Sequence, residues 1–265
     1  MKIKNIVKWT TGTIAGLYVA AYLGFTAHAI YDSKQRYGQG IQQEEQLSLL
    51  KVKRFRVKIS GKEKYLTLVG EVHSYNKKEY EIAKKLVDEH RHFVYEGGKR
   101  GNQSFGNYVY QEVMDKLLKI PAFYLNLGTG RFYDGIPIIA KQKGYNVQGL
   151  ENPYNVYDSL SFDDKFAFLK DITHSALTAP LLYYKAELLE DILAMLSEAG
   201  IGDIKLIDSR FQKPLVDGRD IKMSKGIVDR LKKEGVDKLL AGAGISHFGG
   251  IIRNMSNQIG LEEIK

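Results

Sequence analysis

The chain has 265 residues, a net charge of +8 and no cysteine. Its length suits one large α/β domain with a substantial core. The lack of cysteine excludes a disulfide framework, a thiolate zinc site and a cysteine nucleophile, so a metal would need His, carboxylate or water ligands. Because acidic residues lie between the basic ones, we expect no nucleic-acid binding, and a basic surface beside an anionic membrane explains the charge.

The chain begins with an apolar segment. Residues 10–30 contain no Asp, Glu, Lys or Arg, and about 20 apolar residues span a bilayer. Three lysines precede the segment, which favours a cytoplasmic N-terminus. We therefore expect a single-pass membrane anchor over residues 1–31, a polar linker over 32–46, and an extracytoplasmic domain over 47–265.

Other interpretations of the apolar segment stay open. Its end at Ala27-His28-Ala29 is close to a small-x-small cleavage site, which is typical of a signal peptide. A buried N-terminal helix of the domain is a second alternative. Gly12 and Gly16 form a GxxxG pair that would bring two such helices together, so a homo-oligomer is a further expectation.

The first part of the domain predicts a hairpin followed by a βαβ unit. Residues 51–58 alternate basic and apolar side chains, as a half-exposed edge strand does, and a turn at 60–63 leads to a buried strand at 65–69. A helix over 77–89 then precedes a short strand at 93–95. The strands of a βαβ unit are parallel, so their carboxyl ends share one edge of the sheet.

The rest of the domain alternates helices and short strands. We expect an α/β fold with a central, mostly parallel sheet flanked by helices, an N-terminal transmembrane helix, and a helical insertion or lid at about 155–200. The individual predictions are helices over 107–118, 134–143, 161–199 and 220–233, and strands over 145–150 and 236–241.

Two predicted strand ends carry the same motif, Gly70-x-x-His73 and Gly244-x-x-His247. A glycine lets the backbone turn sharply and approach a ligand, which makes Gly70 and Gly244 candidate ligand-binding positions. A neutral imidazole is the commonest nitrogen ligand of a divalent metal and a general base near neutral pH. The motif therefore predicts a site at this edge. His90 is instead interpreted as a solvated histidine.

Carboxylates follow the other strands. Glu96 and Glu151 each come directly after a predicted parallel strand, where they either serve the site or cap helices and pair with surface lysines. Glu71 is either a site acid or an outward-facing turn residue. Arg219 is either a solvated helix residue or a cation that neutralises a carboxylate or holds a substrate carboxyl group.

Together with the strand end GLENPY and the helix DGRDIKMSKGI, these motifs resemble the TraB/GumN/TIKI superfamily. That superfamily also includes ChaN-like haem-uptake proteins and, more distantly, erythromycin-esterase-like enzymes. The resemblance covers roughly residues 65–252 and implies a membrane-tethered metal-dependent protease. It makes His73 and His247 metal ligands or catalytic histidines, Glu96 and Glu151 the matching acids, and Arg219 an arginine facing the site.

Two functions from different classes follow. In the first, a divalent ion (Mn²⁺, Co²⁺ or Zn²⁺) held by His73, Glu96 and His247 would activate water against a peptide or protein substrate, and Glu71 or Glu151 would move the proton. In the second, the same scaffold binds haem, a peptide signal or another small ligand without turnover. The first motif reads GEVH, which is closer to the ChaN and esterase style than to the protease style.

Overall fold

The computed structural model describes residues 3–37, 48–71, 74–97, 105–131, 135–150, 160–198 and 216–264. A six-stranded sheet flanked by helices makes the fold α/β in type. The strands are β1 (Lys51–Ile59), β2 (Lys62–Glu71), β3 (His92–Tyr95), β4 (Val147–Gly149), β5 (Lys238–Gly244) and β6 (Leu261–Ile264). The helices are α1 (Ile3–Tyr37), α2 (Lys77–Asp88), α3 (Phe105–Thr129), α4 (Ile136–Gln142), α5 (Phe162–Glu198), α6 (Gly218–Leu231) and α7 (Ile245–Ser256).

The sheet is mixed rather than mostly parallel. Its strand order is β4-β3-β5-β2-β1-β6, in which β4, β3, β5 and β2 run parallel and β1 is antiparallel to both of its neighbours. The reason lies in the turn between β1 and β2, where Ser60 and Gly61 have φ angles of 51° and 78°. Positive φ at both central residues is typical of a tight hairpin turn, which joins antiparallel strands.

Strand β1 was predicted to lie at the edge of the sheet, but β6 pairs with it over Arg54 to Val57. Arg56 lies directly opposite Glu262, and its Nε donates to a carboxylate oxygen of Glu262 at 2.9 Å. Lys53 pairs with Glu263 at 2.8 Å. The basic side chains of β1 thus contact the acidic side chains of the last strand, a short pairing that the sequence did not reveal.

Apolar layers cover both faces of the sheet. On one face Leu66, Leu68 and Leu239 pack against α6 and α7. On the other face Val69, Phe93 and Leu240 pack against α2 and α4, in the second buried cluster. Successive side chains of a strand point to opposite faces of the sheet. The position of a residue at a strand end therefore determines which of the two helix layers its side chain contacts.

A buried ion pair joins the sheet layers to the helices. Glu79 forms a capping box with Asn76 at the start of α2 and accepts from the backbone N–H groups of Leu49 at 2.6 Å and Leu50 at 3.1 Å. Its carboxylate also pairs with Arg131, just past the end of α3. Both side chains are buried, so the two charges compensate each other away from water.

Helices α1, α3 and α5 form a bundle with a small core of its own, in which Ala29, Tyr124, Ala179 and Tyr183 are buried. Residues 13–37 of α1 are long and apolar enough to cross a membrane, a property that a signal sequence shares, and only 6% of their most apolar window is buried. The helix runs to Tyr37, past the start of the predicted linker.

His90 was predicted to be solvated, but it is buried. Its Nδ1 lies 2.7 Å from the carbonyl oxygen of Leu86, and its Nε2 lies 3.0 Å from the hydroxyl of Thr67 on β2. The chain bends after α2 and turns the ring towards the sheet, a direction that the local sequence does not encode. Burial lowers the pKa of this imidazole, while the contact with Leu86 acts in the opposite sense.

We expect the stability of the fold to fall as the pH drops below about 6.5, partly through His90. The unfolded chain takes up a proton at the ordinary histidine pKa, whereas the folded imidazole remains neutral to a lower pH, so acid favours unfolding. Chemical unfolding of wild type and His90→Gln between pH 5 and pH 7 measures this contribution. The variant is expected to be less stable at neutral pH but to lose less stability on acidification. An identical slope in both proteins would contradict the assignment.

Gly242 on β5 is required by packing. A Cβ at this position would collide with the ring of Tyr95 on the neighbouring strand β3. We expect Gly242→Ala to lower the free energy of unfolding by about 1–3 kcal/mol, the usual cost of overpacking. The matched control is Gly260→Ala, because nothing lies within 4 Å of a Cβ at that position. Equal stability of the two variants in denaturant titrations would refute this packing.

Candidate functional site

Glu96 lies at the carboxyl edge of the sheet and joins three elements. It follows β3, and its Oε2 accepts from the backbone N–H of Gly244 at 2.6 Å, at the start of α7. The guanidinium of Arg219, in the first turn of α6, pairs with Oε1. Arg219 and the amino end of α7 thus both place positive charge beside this carboxylate. Its side chain keeps 13% of its surface exposed, so solvent reaches the cluster here.

His247 lies in the first turn of α7 and is held by a second acid. Its Nδ1 lies 2.6 Å from Oδ1 of Asp220 on α6, and its Nε2 lies 3.8 Å from Oε1 of Glu96. Asp220 and His247 are both buried. With the Nδ1 proton donated to Asp220, Nε2 is left as the acceptor, the tautomer assigned from this contact. The imidazole of His247 thus lies between the carboxylates of Asp220 and Glu96.

Desolvation raises the pKa of Asp220, and the contact with His247 opposes that rise. The approach of α6 to α7 depends on Gly250, since a Cβ there would collide with the carboxylate of Asp220. His247 and Gly250 are three residues apart on one face of α7, so the helix presents the imidazole and a gap for the carboxylate together. Gly250 therefore has a packing role.

Asp220 is the residue that sequence reasoning missed. A signal for it exists, because Asp220 shares a helical stripe with Met223, Ile227 and Leu231, all of which are buried. An aspartate in the apolar stripe of a helix needs a buried partner. The sequence reveals that need but not that the partner is His247.

The side chain of Glu71 lies on the other face of the sheet, in the layer of α4 rather than that of α6 and α7. Glu71 is the last residue of β2 and pairs with Gly244 of β5. Its carboxylate nevertheless lies against Gly135 and accepts a hydrogen bond from the backbone N–H of Ile136, at the start of α4. Only 2% of the residue is exposed. Burial raises the pKa of Glu71 to about 8, the N–H of Ile136 lowers it in part, and repulsion from Glu96 and Glu79 adds smaller increases.

The predicted site residues are therefore only partly assembled. Glu96, Arg219, Gly244 and His247 come together, whereas Glu71 lies in the layer of α4. Gly70 packs tightly under the ring of Phe248, since a Cβ on it would lie 2.8 Å from that ring, so its absent side chain serves packing between β2 and α7. The described residues do not include His73 and Glu151.

The described residues by themselves do not complete a divalent-metal site. No group of three His, Asp or Glu side chains suited to a metal occurs among them. The carboxylate of Glu96 already contacts Arg219 and the N–H of Gly244, and a neighbouring guanidinium disfavours a second cation. His247 does suit the role of a metal ligand, because a metal-binding imidazole usually donates its other ring N–H to a carboxylate.

We expect Glu71→Gln to stabilise the protein more at pH 8 than at pH 4.5. The unfolded wild type loses its proton near pH 4.5, while the folded carboxyl group keeps it until about pH 8, so wild-type stability falls across this window. Glutamine fills a similar volume and does not titrate. Melting temperatures across the window test this, and an equal difference between the two proteins at every pH would contradict it.

In comparisons with known proteins, no protein-family model, no curated protein and no solved structure matches the chain. The resemblance to the TraB/GumN/TIKI superfamily stays a prediction from the quoted motifs.

Proposed function

We propose that this protein is a membrane-anchored hydrolase, with peptides or partner proteins as its substrates. The supporting observation is the buried pair of Asp220 and His247 beside the Arg219–Glu96 ion pair at the carboxyl edge of the sheet. Ligands of open α/β sheets bind outside the carboxyl ends of the strands. A histidine oriented by a carboxylate is also the arrangement of a general base.

In the proposed step, His247 Nε2 accepts a proton from a water molecule as the water oxygen bonds to the scissile carbonyl carbon. Asp220 holds the ring and stabilises the imidazolium that forms, and Glu96, with its Oε1 at 3.8 Å from Nε2, adds to that stabilisation. The carbon–nitrogen bond then breaks, and the proton passes from Nε2 to the departing amine. Water adds its oxygen and one hydrogen to the acyl product, so the atoms balance.

Arg219 has a separate role in this proposal. Its side chain keeps 16% of its surface exposed, and a guanidinium presents several N–H donors in a fixed planar geometry. It can therefore hold the oxygen on which negative charge develops, or a carboxyl group of the substrate. Pairing with Glu96 fixes its direction, which favours binding in a defined geometry.

A divalent metal remains part of the proposal as an added component. His247 Nε2 and the undescribed His73 are the nitrogen donors that the sequence offers at this edge. The side-chain chemistry above does not depend on the ion, and assays with and without metal separate the two cases. The alternative function is binding without turnover, with haem, a peptide signal or another small ligand as the bound molecule. The experiment below also tests this alternative.

We expect Asp220→Asn and His247→Ala to lower turnover about 10²–10⁴-fold, the usual contribution of a general base. The measurement uses the full-length chain in detergent with a quenched fluorescent peptide library, without metal, with EDTA, and with Mn²⁺, Co²⁺ or Zn²⁺. Asp229→Asn is the matched control, because Asp229 lies on the same helix with an exposed side chain paired at 4.0 Å to Lys232. It is expected to retain wild-type turnover.

Circular dichroism and melting curves establish that each variant is folded. Absent turnover would contradict the hydrolase, and equal turnover in folded His247→Ala and in wild type would contradict His247 as its general base. A shift of the haem absorbance band on addition of wild type, lost in His247→Ala, would then favour the binding function.

A further inference from the structure

The bundle of α1, α3 and α5 keeps large apolar side chains on its outer surface. We call these residues the bundle surface: Ile14, Leu17, Tyr18, Val19, Leu23 and Phe25 on α1, Phe123 on α3, and Leu177, Leu181 and Tyr184 on α5, each between 44% and 67% exposed. Soluble proteins rarely expose contiguous apolar surface on this scale without a partner that covers it.

The exposed residues of α1 and α5 adjoin each other. The hydroxyl of Tyr18 donates to the backbone carbonyl of Leu177. The ring of Phe25 meets that of Tyr184 edge-on, with centroids 6.1 Å apart. All four residues are at least 44% exposed. Since α1 is the candidate membrane span, the part of α5 that contacts it must lie at the same depth.

The distribution of charged residues along α3 and α5 is consistent with helices that enter the membrane only part of the way. Residues 120–130 and 172–184 contain no Asp, Glu, Lys or Arg, and each stretch is shorter than the about 20 residues needed to cross a bilayer. These are also the stretches that supply the bundle core through Tyr124, Ala179 and Tyr183. Apolar runs of this length are typical of buried core helices and of segments that enter one side of a membrane without crossing it. The exposed side chains of Phe123, Leu177 and Leu181 favour the second kind.

The contacts between α1 and α5 indicate an oblique crossing. Tyr18 contacts Leu177, and Asp32 accepts from the hydroxyl of Tyr183 at 2.5 Å. The two contacts are 32 − 18 = 14 residues apart on α1 but only 183 − 177 = 6 apart on α5. At 1.5 Å per residue this is about 21 Å against about 9 Å, so the axes are inclined. If α1 runs along the membrane normal, the axis of α5 is therefore tilted away from that normal.

A polar boundary runs across the bundle at one level. Asp32 on α1 meets Tyr183, and the next charged residue of α5 is Lys185. The hydroxyl of Tyr37 donates to the carbonyl of Gly128 at 2.7 Å, and Arg131 follows shortly after on the chain. Charges therefore begin at about the same level on all three helices, as they do where a bundle leaves a bilayer.

We propose that α3 and α5 enter the lipid bilayer beside α1, with the bundle surface covered by acyl chains on one side of the membrane. This inference rests on the membrane anchor of the proposed function and goes beyond it, because a single-pass anchor needs only α1. Lipid fits as the occupant because exposed residues of α5 directly contact exposed residues of α1, the candidate span. The net charge of +8 suits an anionic headgroup layer on the remaining surface.

The lack of cysteine allows a direct test with single-cysteine variants of the full chain. Leu177→Cys on α5 and Phe123→Cys on α3 carry an environment-sensitive maleimide dye. Leu23→Cys on α1 reports the anchor, and Tyr65→Cys, 40% exposed at the start of β2, is the control outside the bundle. Each protein is reconstituted in phosphatidylcholine–phosphatidylglycerol vesicles, with or without brominated phosphatidylcholine.

The proposal expects blue-shifted emission and quenching by brominated lipid at positions 23, 123 and 177, and neither at position 65. Quenching at position 23 alone would overturn the bilayer entry of α3 and α5 and leave the anchor intact. No quenching at position 23 would overturn both. A blue shift at 123 and 177 without quenching would assign the surface to a second copy of this chain and refute the proposal. Peptide turnover, measured on the wild type separately, reports the hydrolase independently of these outcomes.

Discussion

The buried carboxylate of Glu79 connects three separate parts of the chain. It receives the backbone of residues 49 and 50, at the entry to β1, closes the capping box of α2, and pairs with Arg131 beyond α3. Removing one member of a buried ion pair leaves an uncompensated charge and costs about 3–5 kcal/mol. The position of the helical bundle against the sheet therefore depends on this pair.

That position sets where the candidate site faces. The hydroxyl of Ser74, just beyond β2, donates to Oδ1 of Asn126 on α3 at 2.9 Å, so the end of α3 meets the carboxyl edge of the sheet. Glu96, Arg219 and His247 lie along the same edge. On the proposed placement of the bundle in the bilayer, the site is held close to the membrane surface. Substrates at that surface, such as the exposed ends of membrane-bound partner proteins, would then reach it by the shortest path.

Two buried acids near this edge have different environments. The contact of Asp220 with His247 opposes the effect of burial on the pKa of Asp220. For Glu71, burial and repulsion from Glu96 and Glu79 raise the pKa more than the N–H of Ile136 lowers it. Asp220 is thus suited to support a base, while the pKa of about 8 makes Glu71 a carboxyl group that keeps its proton at neutral pH. The glycines at 135 and 250 let these carboxylates approach α4 and α7 at distances that no side chain would permit.

The sequence by itself determined the local elements and the edge where the candidate site lies. Side-chain periodicity depends on neighbours a few residues apart, and it is sufficient to identify β2, α2, β3, α6 and the apolar helix α1. The βαβ order then brings the residue after β3 to the same edge of the sheet as the end of β2. Only the tertiary structure decided that Asp220 meets His247, that Glu71 turns to α4, that His90 is buried, and that β6 covers β1. Each of these contacts joins residues far apart in the chain or depends on which face of the sheet a strand end presents. Such contacts are determined by packing in three dimensions, because the local sequence pattern carries no information about distant partners.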